Sequence, residues 1–123
     1  MGVNARVLIV EDDYATQQAL SALLVQMGHT PLVADRAEYA LRILDSSTAL
    51  DVIITDIVMP GMNGIEFAKR VRSARPALPI VLVTGDSDAL EDVLASGAVA
   101  LLKPYSPNTL GRVLAEALES KPR

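Results

Sequence analysis

Short apolar runs alternate along this chain with segments whose apolar residues recur every three or four positions. The run Val7-Leu8-Ile9-Val10, within Arg6–Val10, has no polar interruption, as expected of a strand buried on both faces. Leu20, Leu23, Leu24 and Met27 then follow at helical spacing, and Gly28 stands where a glycine cap ends a helix. Thr30–Ala34 predicts a weaker second strand, and Ala37, Ala40, Leu41 and Leu44 a second helix. Residues 51–55 predict a third strand. Ile65, Ala68, Val71 and Arg72 predict a helix that ends before Pro76. Residues 79–83 predict the fourth strand, Leu90, Val93 and Leu94 a fourth helix closed by Gly97, and Val99–Leu102 the fifth strand. Ser106-Pro107 reads as an N-cap followed by proline in the first helical position. Leu110, Val113, Leu114, Ala117 and Leu118 complete the last helix, with Gly111 a mild weak point inside it.

Strand and helix thus alternate with short connections, the pattern of a parallel sheet covered by helices on both faces. No linker or low-complexity tract interrupts it. The expectation is one α/β domain over residues 1–123, ordered from about residue 5 to 120. Any output function is then expected in another chain, or in a part of the parent protein outside this segment.

Composition narrows the classes. Half of the 123 residues are hydrophobic, enough for a real core. With no cysteine there is neither a disulfide nor a thiolate metal site. The net charge of −4, from 11 basic and 15 acidic residues, argues against a nucleic-acid-binding face. The longest apolar runs are too short to span a bilayer, and no signal-peptide pattern precedes them, so a cytoplasmic location is expected.

The polar residues that matter follow the strands. The first predicted strand leads into Glu11-Asp12-Asp13, the third into Asp56, the fourth into Thr84 and the fifth into Lys103-Pro104. In open α/β sheets ligands bind outside the carboxyl ends of the strands, so these distant positions are expected to share one cleft. Carboxylates crowded there repel unless a cation neutralises them. All-oxygen ligation favours a hard cation, and Mg²⁺ is the usual one beside phosphate. A carboxylate flanked by such a cation, a hydroxyl and a lysine suits phosphoryl transfer, and aspartate can itself become an aspartyl phosphate. The strand before Asp56 would deliver it to the cleft floor, and Pro60-Gly61 would turn the chain over the site.

The blocks LIVEDD, TDIVMPGMNGIEF, VLVTGDS and LLKPYSP resemble, in order and spacing, the signature blocks of the receiver domains of two-component response regulators. The resemblance covers nearly the whole chain. It implies a flavodoxin-like (βα)5 fold, a doubly wound parallel five-stranded sheet in the order 2-1-3-4-5. It implies that Asp56 is the phosphoacceptor and Asp12 a direct ligand of Mg²⁺ (or Mn²⁺), with Glu11 reaching the metal through water and the backbone carbonyl of Val58 as a further ligand. Thr84 corresponds to the hydroxyl that closes on the phosphoryl group and Lys103 to the lysine that pairs with it. The Lys103-Pro104 bond is cis in most such domains. The implied partner is a histidine kinase or a histidine phosphotransfer domain, with slow self-catalysed loss of the phosphoryl group afterwards. The resemblance leaves room for a weak homodimer, and both a freestanding regulator and a receiver of a hybrid kinase fit it. One departure stands out: many receivers carry Tyr or Phe three residues before the lysine, where this chain has Ala100.

Other residues have plainer readings. Asp13 is expected to cap the first helix, His29 to be a surface residue, and Met59 and Met62 to pack. Tyr105 is expected on the partner-binding face rather than over a core edge. An aspartate-nucleophile phosphatase or phosphotransferase is the rival activity. Such enzymes place a second Asp two residues after the nucleophile, where this chain has Val58. A flavin- or dinucleotide-binding role lacks the Gly-x-Gly-x-x-Gly turn after the first strand. A degenerate receiver that only binds partners is disfavoured because every site position is retained.

Overall fold

The computed structural model describes residues 4–119. Five strands, β1 (Arg6–Val10), β2 (Thr30–Ala34), β3 (Val52–Asp56), β4 (Ile80–Thr84) and β5 (Val99–Leu102), alternate with five α-helices. The helices are α1 (Tyr14–Gln26), α2 (Ala37–Asp45), α3 (Gly64–Ala74), α4 (Leu90–Ala95) and α5 (Pro107–Glu119), with a 3₁₀ turn at Ser87–Ala89 leading into α4. All strand pairs are parallel, and the order is β2-β1-β3-β4-β5, as the resemblance implied.

Alternate residues of each strand feed two cores. Leu8, Val10, Ile53, Ile80 and Leu82 face α2, α3 and α4, where they meet Ala40, Phe67, Val71 and Val93. Val7, Ile9, Val52, Ile54, Val81, Val83 and Leu101 face the other way, onto Leu20 and Leu24 of α1 and Leu110 and Leu114 of α5. Burial on both faces is the reason the central strands read as unbroken apolar runs. β2 lies at the sheet edge, pairs only with β1, and is less buried. That position tolerates Pro31, which has no N–H to give to a neighbour.

The helix ends follow their local signals. Asp13 caps α1 by accepting from the Thr16 N–H at 2.9 Å, Asn63 caps α3 through Glu66 N–H, and Ser106 caps α5 through Thr109 N–H. Gly28 and Gly97 close α1 and α4 at φ of 90° and 84°. Gly64, at the start of α3, answers to space rather than dihedrals. A Cβ there would stand 2.2 Å from the Asp56 carbonyl oxygen and 2.8 Å from the Ile57 Cα.

Some expectations need correction. β3 and β4 each begin and end one residue later than the apolar pattern suggested, so Asp56 and Thr84 are the last residues of their strands. Pairing decides this, because Asp56 lies opposite Val83 and Thr84 opposite Leu102. Leu94 does not point inward: it is 65% exposed, and Val93 is the buried residue of the short α4. His29 is half-buried and tied in, with Nδ1 accepting from the Ala5 N–H at 3.1 Å. Tyr105 packs partly buried against the α1–α5 core rather than standing on an open face. Met59 is buried and Met62 packs against the α2–α4 core, as expected.

Candidate functional site

The sheet register sets the site. Val10 pairs with Thr55, so Glu11, the next residue, comes level with Asp56 on the neighbouring strand. The Lys103 N–H donates to the Thr84 carbonyl at 2.8 Å, which places Lys103 just beyond the end of β4. The three topological neighbours β1, β3 and β4 thus deliver acid, acid and hydroxyl along one edge, and the segment after β5 adds the cation. The Lys103-Pro104 bond is cis, as the resemblance implied.

Asp56 and Lys103 meet directly. Lys103 Nζ donates to Asp56 Oδ2 at 3.1 Å, with 14% of the Asp56 side chain and 41% of the Lys103 side chain exposed. Partial burial pulls the Lys103 pKa down, but its hydrogen bond to Asp56 and the charges of Asp56 and Glu11 outweigh this and raise it. Lys103 therefore stays an ammonium at neutral pH.

Glu11 is buried at the end of β1. Its Oε2 accepts from the Asp13 N–H at 2.9 Å, and its backbone carbonyl accepts from Gln17 Nε2 at 2.6 Å. Its pKa is raised, mainly by burial, further by the Asp56 charge and the neighbouring Asp12 carboxyl, and opposed by the Asp13 N–H and Lys103. Burial is the larger cause, and the carboxylate crowding expected from the sequence adds to it on the most buried of the acids. Asp12 is exposed at the rim. It lines a recess of about 390 Å³ with Asp35, Arg36, Glu38, Pro60 and Gly61. Val58 is 79% exposed, so this part of the loop after β3 lies open to solvent.

Thr84 is buried at the end of β4, and its hydroxyl is engaged. Oγ1 accepts from the Asp86 N–H at 3.0 Å, while Asp86 Oδ1 in turn accepts from the Asp88 N–H and caps the 3₁₀ turn. The hydroxyl is thus tied to the loop that follows it rather than to Asp56.

Among the described residues, no three acidic or imidazole side chains converge closely enough to cage an ion alone. The oxygen-only donors at the ends of β1 and β3 nevertheless suit a hard cation held by one or two carboxylates, a backbone carbonyl and water, which is how Mg²⁺ is usually held beside phosphate. The residues fit the ion.

Three further residues shape the site. Gln17 occupies the buried stripe of α1 with Leu20 and Leu24, and its amide ties the helix to Glu11. A glutamine at a position whose helical neighbours are leucines was the available sequence signal. Thr55 Oγ1 donates to the Asp56 carbonyl at 3.0 Å from within the core, a contact no pattern announces. Asp86 holds the Thr84 hydroxyl, and only its place in VLVTGDS hinted at a role.

Comparison with known proteins gives one answer. The profile of the response regulator receiver domain matches residues 7–115. Response regulator protein FleR of Pseudomonas aeruginosa is 38% identical over 86% of this chain and 23% of its own length. The structure of the chemotaxis response regulator CheY4 of Vibrio cholerae is 34% identical, with a TM-score of 0.84 over 94% of this chain and all of that one. The receiver domain of sensor histidine kinase PA1611 from Pseudomonas aeruginosa, 24% identical with a TM-score of 0.85, covers 96% of this chain and 100% of its own and shares the fold; that protein holds a magnesium ion in its active site cleft. Several curated relatives are longer proteins, of which the chain spans 20% to 48%.

Proposed function

Because this chain belongs to the receiver domain family of response regulators, we propose that it works in two-component signalling by taking a phosphoryl group from a phosphohistidine onto Asp56. The observation that carries this reading is the Lys103 to Asp56 pair at 3.1 Å, set level with the buried Glu11 at one sheet edge. The carboxylate attacks phosphorus, a P–O bond forms, and the P–N bond to the imidazole breaks. The imidazole nitrogen leaves with the electron pair and takes a proton from solvent. Lys103 carries positive charge to where the phosphoryl oxygens gather negative charge. A divalent cation, Mg²⁺ or Mn²⁺, would be held by Asp12, Asp56 and the Val58 carbonyl, with Glu11 acting through water. It would neutralise the same oxygens. Thr84 can reach the phosphoryl group once it releases the Asp86 N–H.

The donor is a histidine kinase or a histidine phosphotransfer domain, and water slowly removes the group afterwards. The phosphatase reading has no structural support. Its acid would come from position 58, where a valine points into solvent and moves no proton. No helix among the described residues is long and apolar enough to cross a membrane.

Intact-protein mass spectrometry after incubation with acetyl phosphate and Mg²⁺ tests the assignment. One phosphoryl group, labile to hydroxylamine, is expected on wild type and absent from Asp56→Asn. Equal stable labelling of both proteins rules Asp56 out.

A further inference from the structure

Below the Lys103–Asp56 pair, on the α1–α5 side of the sheet, lies a small recess of about 10 Å³, room for about one water molecule. Its floor is apolar, made by Ile9, Leu20, Ile54 and Val83, and its polar rim is Glu11, Thr16, Asp56 and Lys103. Tyr105 closes it. The ring packs half-buried against the core of α1 and α5, and it lines the same recess as both members of the ion pair.

We propose that Tyr105 is a positioning residue of this site: its ring walls the Lys103–Asp56 pair off from bulk water on the core side and so keeps the ammonium aimed at the phosphoacceptor. The physical reason is screening. A charge pair half-shielded by protein interacts several times more strongly than one in open water, and an ammonium on a four-carbon stem keeps one direction only where its surroundings limit it. Lys103 has water on its outer side, so its direction depends on what fills the inner side. The electrostatics agree with this placement. Burial raises the Tyr105 phenol pKa, and the phenol lies within reach of the Lys103, Glu11 and Asp56 charges. A wall needs the ring and not the hydroxyl, so phenylalanine should serve as well as tyrosine.

This inference rests on Asp56 being the phosphoacceptor, and the experiment separates the two. Phosphorylation by acetyl phosphate is followed at saturating Mg²⁺ for wild type, Tyr105→Phe and Tyr105→Ala, with Mg²⁺ affinity measured by calorimetry and folding by urea unfolding. Tyr105→Phe is expected within about twofold of wild type, and Tyr105→Ala slower by about tenfold or more, the scale on which a misplaced charge-stabilising group costs rate. Mg²⁺ affinity in Tyr105→Ala is expected to be equal or tighter, because a loosened Lys103 competes less for Asp56. A general loosening of the site would weaken both readouts together, and that result overturns the proposal. Wild-type rates in Tyr105→Ala overturn it as well. Should Tyr105→Ala fail to fold, Tyr105→Val, which removes the ring and most of its cover, is expected to be slowed as well relative to Tyr105→Phe, and equal rates in the two overturn the proposal. A wild type that takes no label overturns the phosphoacceptor assignment and this inference with it. A labelled wild type with an unaffected alanine variant overturns this inference alone.

Discussion

Replacing Gly64 with alanine puts a methyl group into backbone rather than into space. The new Cβ would lie 2.2 Å from the Asp56 carbonyl oxygen, 2.8 Å from the Ile57 Cα and 3.0 Å from the Asp56 carbonyl carbon. None of these atoms is the tip of a flexible side chain. Either the end of β3 or the start of α3 must move by roughly 1 Å to restore ordinary contact distance. That displacement strains the Gly64 N–H to Ile57 carbonyl hydrogen bond, now 2.8 Å long, which closes the loop over the site. Overpacking of this kind costs about 1–3 kcal/mol, and a weakened hydrogen bond adds up to about 1 kcal/mol. Alanine returns less than about 1 kcal/mol through its better helix propensity. The net expectation is a loss of about 1–3 kcal/mol, a large share of the roughly 5–15 kcal/mol that holds a domain together. Gly111 supplies the control, since a Cβ there meets nothing within 4 Å in the interior of α5. Gly111→Ala should stabilise by about 0.5–1 kcal/mol. Urea unfolding followed by circular dichroism measures both. A Gly64→Ala loss below about 1 kcal/mol, or a change equal in sign to that of Gly111→Ala, would show that the end of β3 yields freely and that the close approach is not a constraint. Because the atom displaced belongs to Asp56, the same variant should also take up phosphoryl more slowly, and the labelling assay above measures that.

Asp12→Ala should lower Mg²⁺ affinity by at least roughly tenfold, the scale on which even groups that only orient ligands act, while staying folded; calorimetric titration showing unchanged affinity refutes its role as ligand. Glu11 has a raised pKa, so the folded protein holds its proton more tightly than the unfolded chain does, and stability without divalent cation should fall as pH rises from the usual glutamate value of 4.5 through the raised value. Glu11→Gln should remove that fall, and unfolding curves in chelator across the acid range should converge at low pH; curves that diverge instead as pH drops contradict the sign. With the phosphate mimic beryllofluoride, the amide of Asp86 should shift most among those beyond Asp56, because its N–H must give up the Thr84 hydroxyl. Ala100 has no ring to swing, so changes should fade before Val99–Leu102; equally large shifts along β5 would show that the signal crosses that strand without a ring.

Much of this protein could be read from the linear chain because its determinants are local. Strands buried on both faces must be apolar throughout, so β1, β3 and β4 announced themselves. Asp13 and Ser106 cap helices through N–H groups three residues on, as their local sequence announced. The site was legible for a related reason: parallel strands share one carboxyl edge, so whatever follows them converges whichever strands are neighbours. What the chain could not show were contacts between elements remote in sequence, where the answer depends on register and on which side of a short element faces inward. Pairing across the sheet moved Asp56 and Thr84 into their strands. One residue of difference, about 100° around the helix, left Leu94 in solvent and Val93 in the core. Tyr105 looked like a surface aromatic, because nothing near it in sequence reports that its ring lines a recess together with residues of β1, α1, β3 and β4. Gly64 carried no signal in the chain, because the carbonyl it must clear belongs to a strand end eight residues earlier, brought back only by the closed turn of the folded chain.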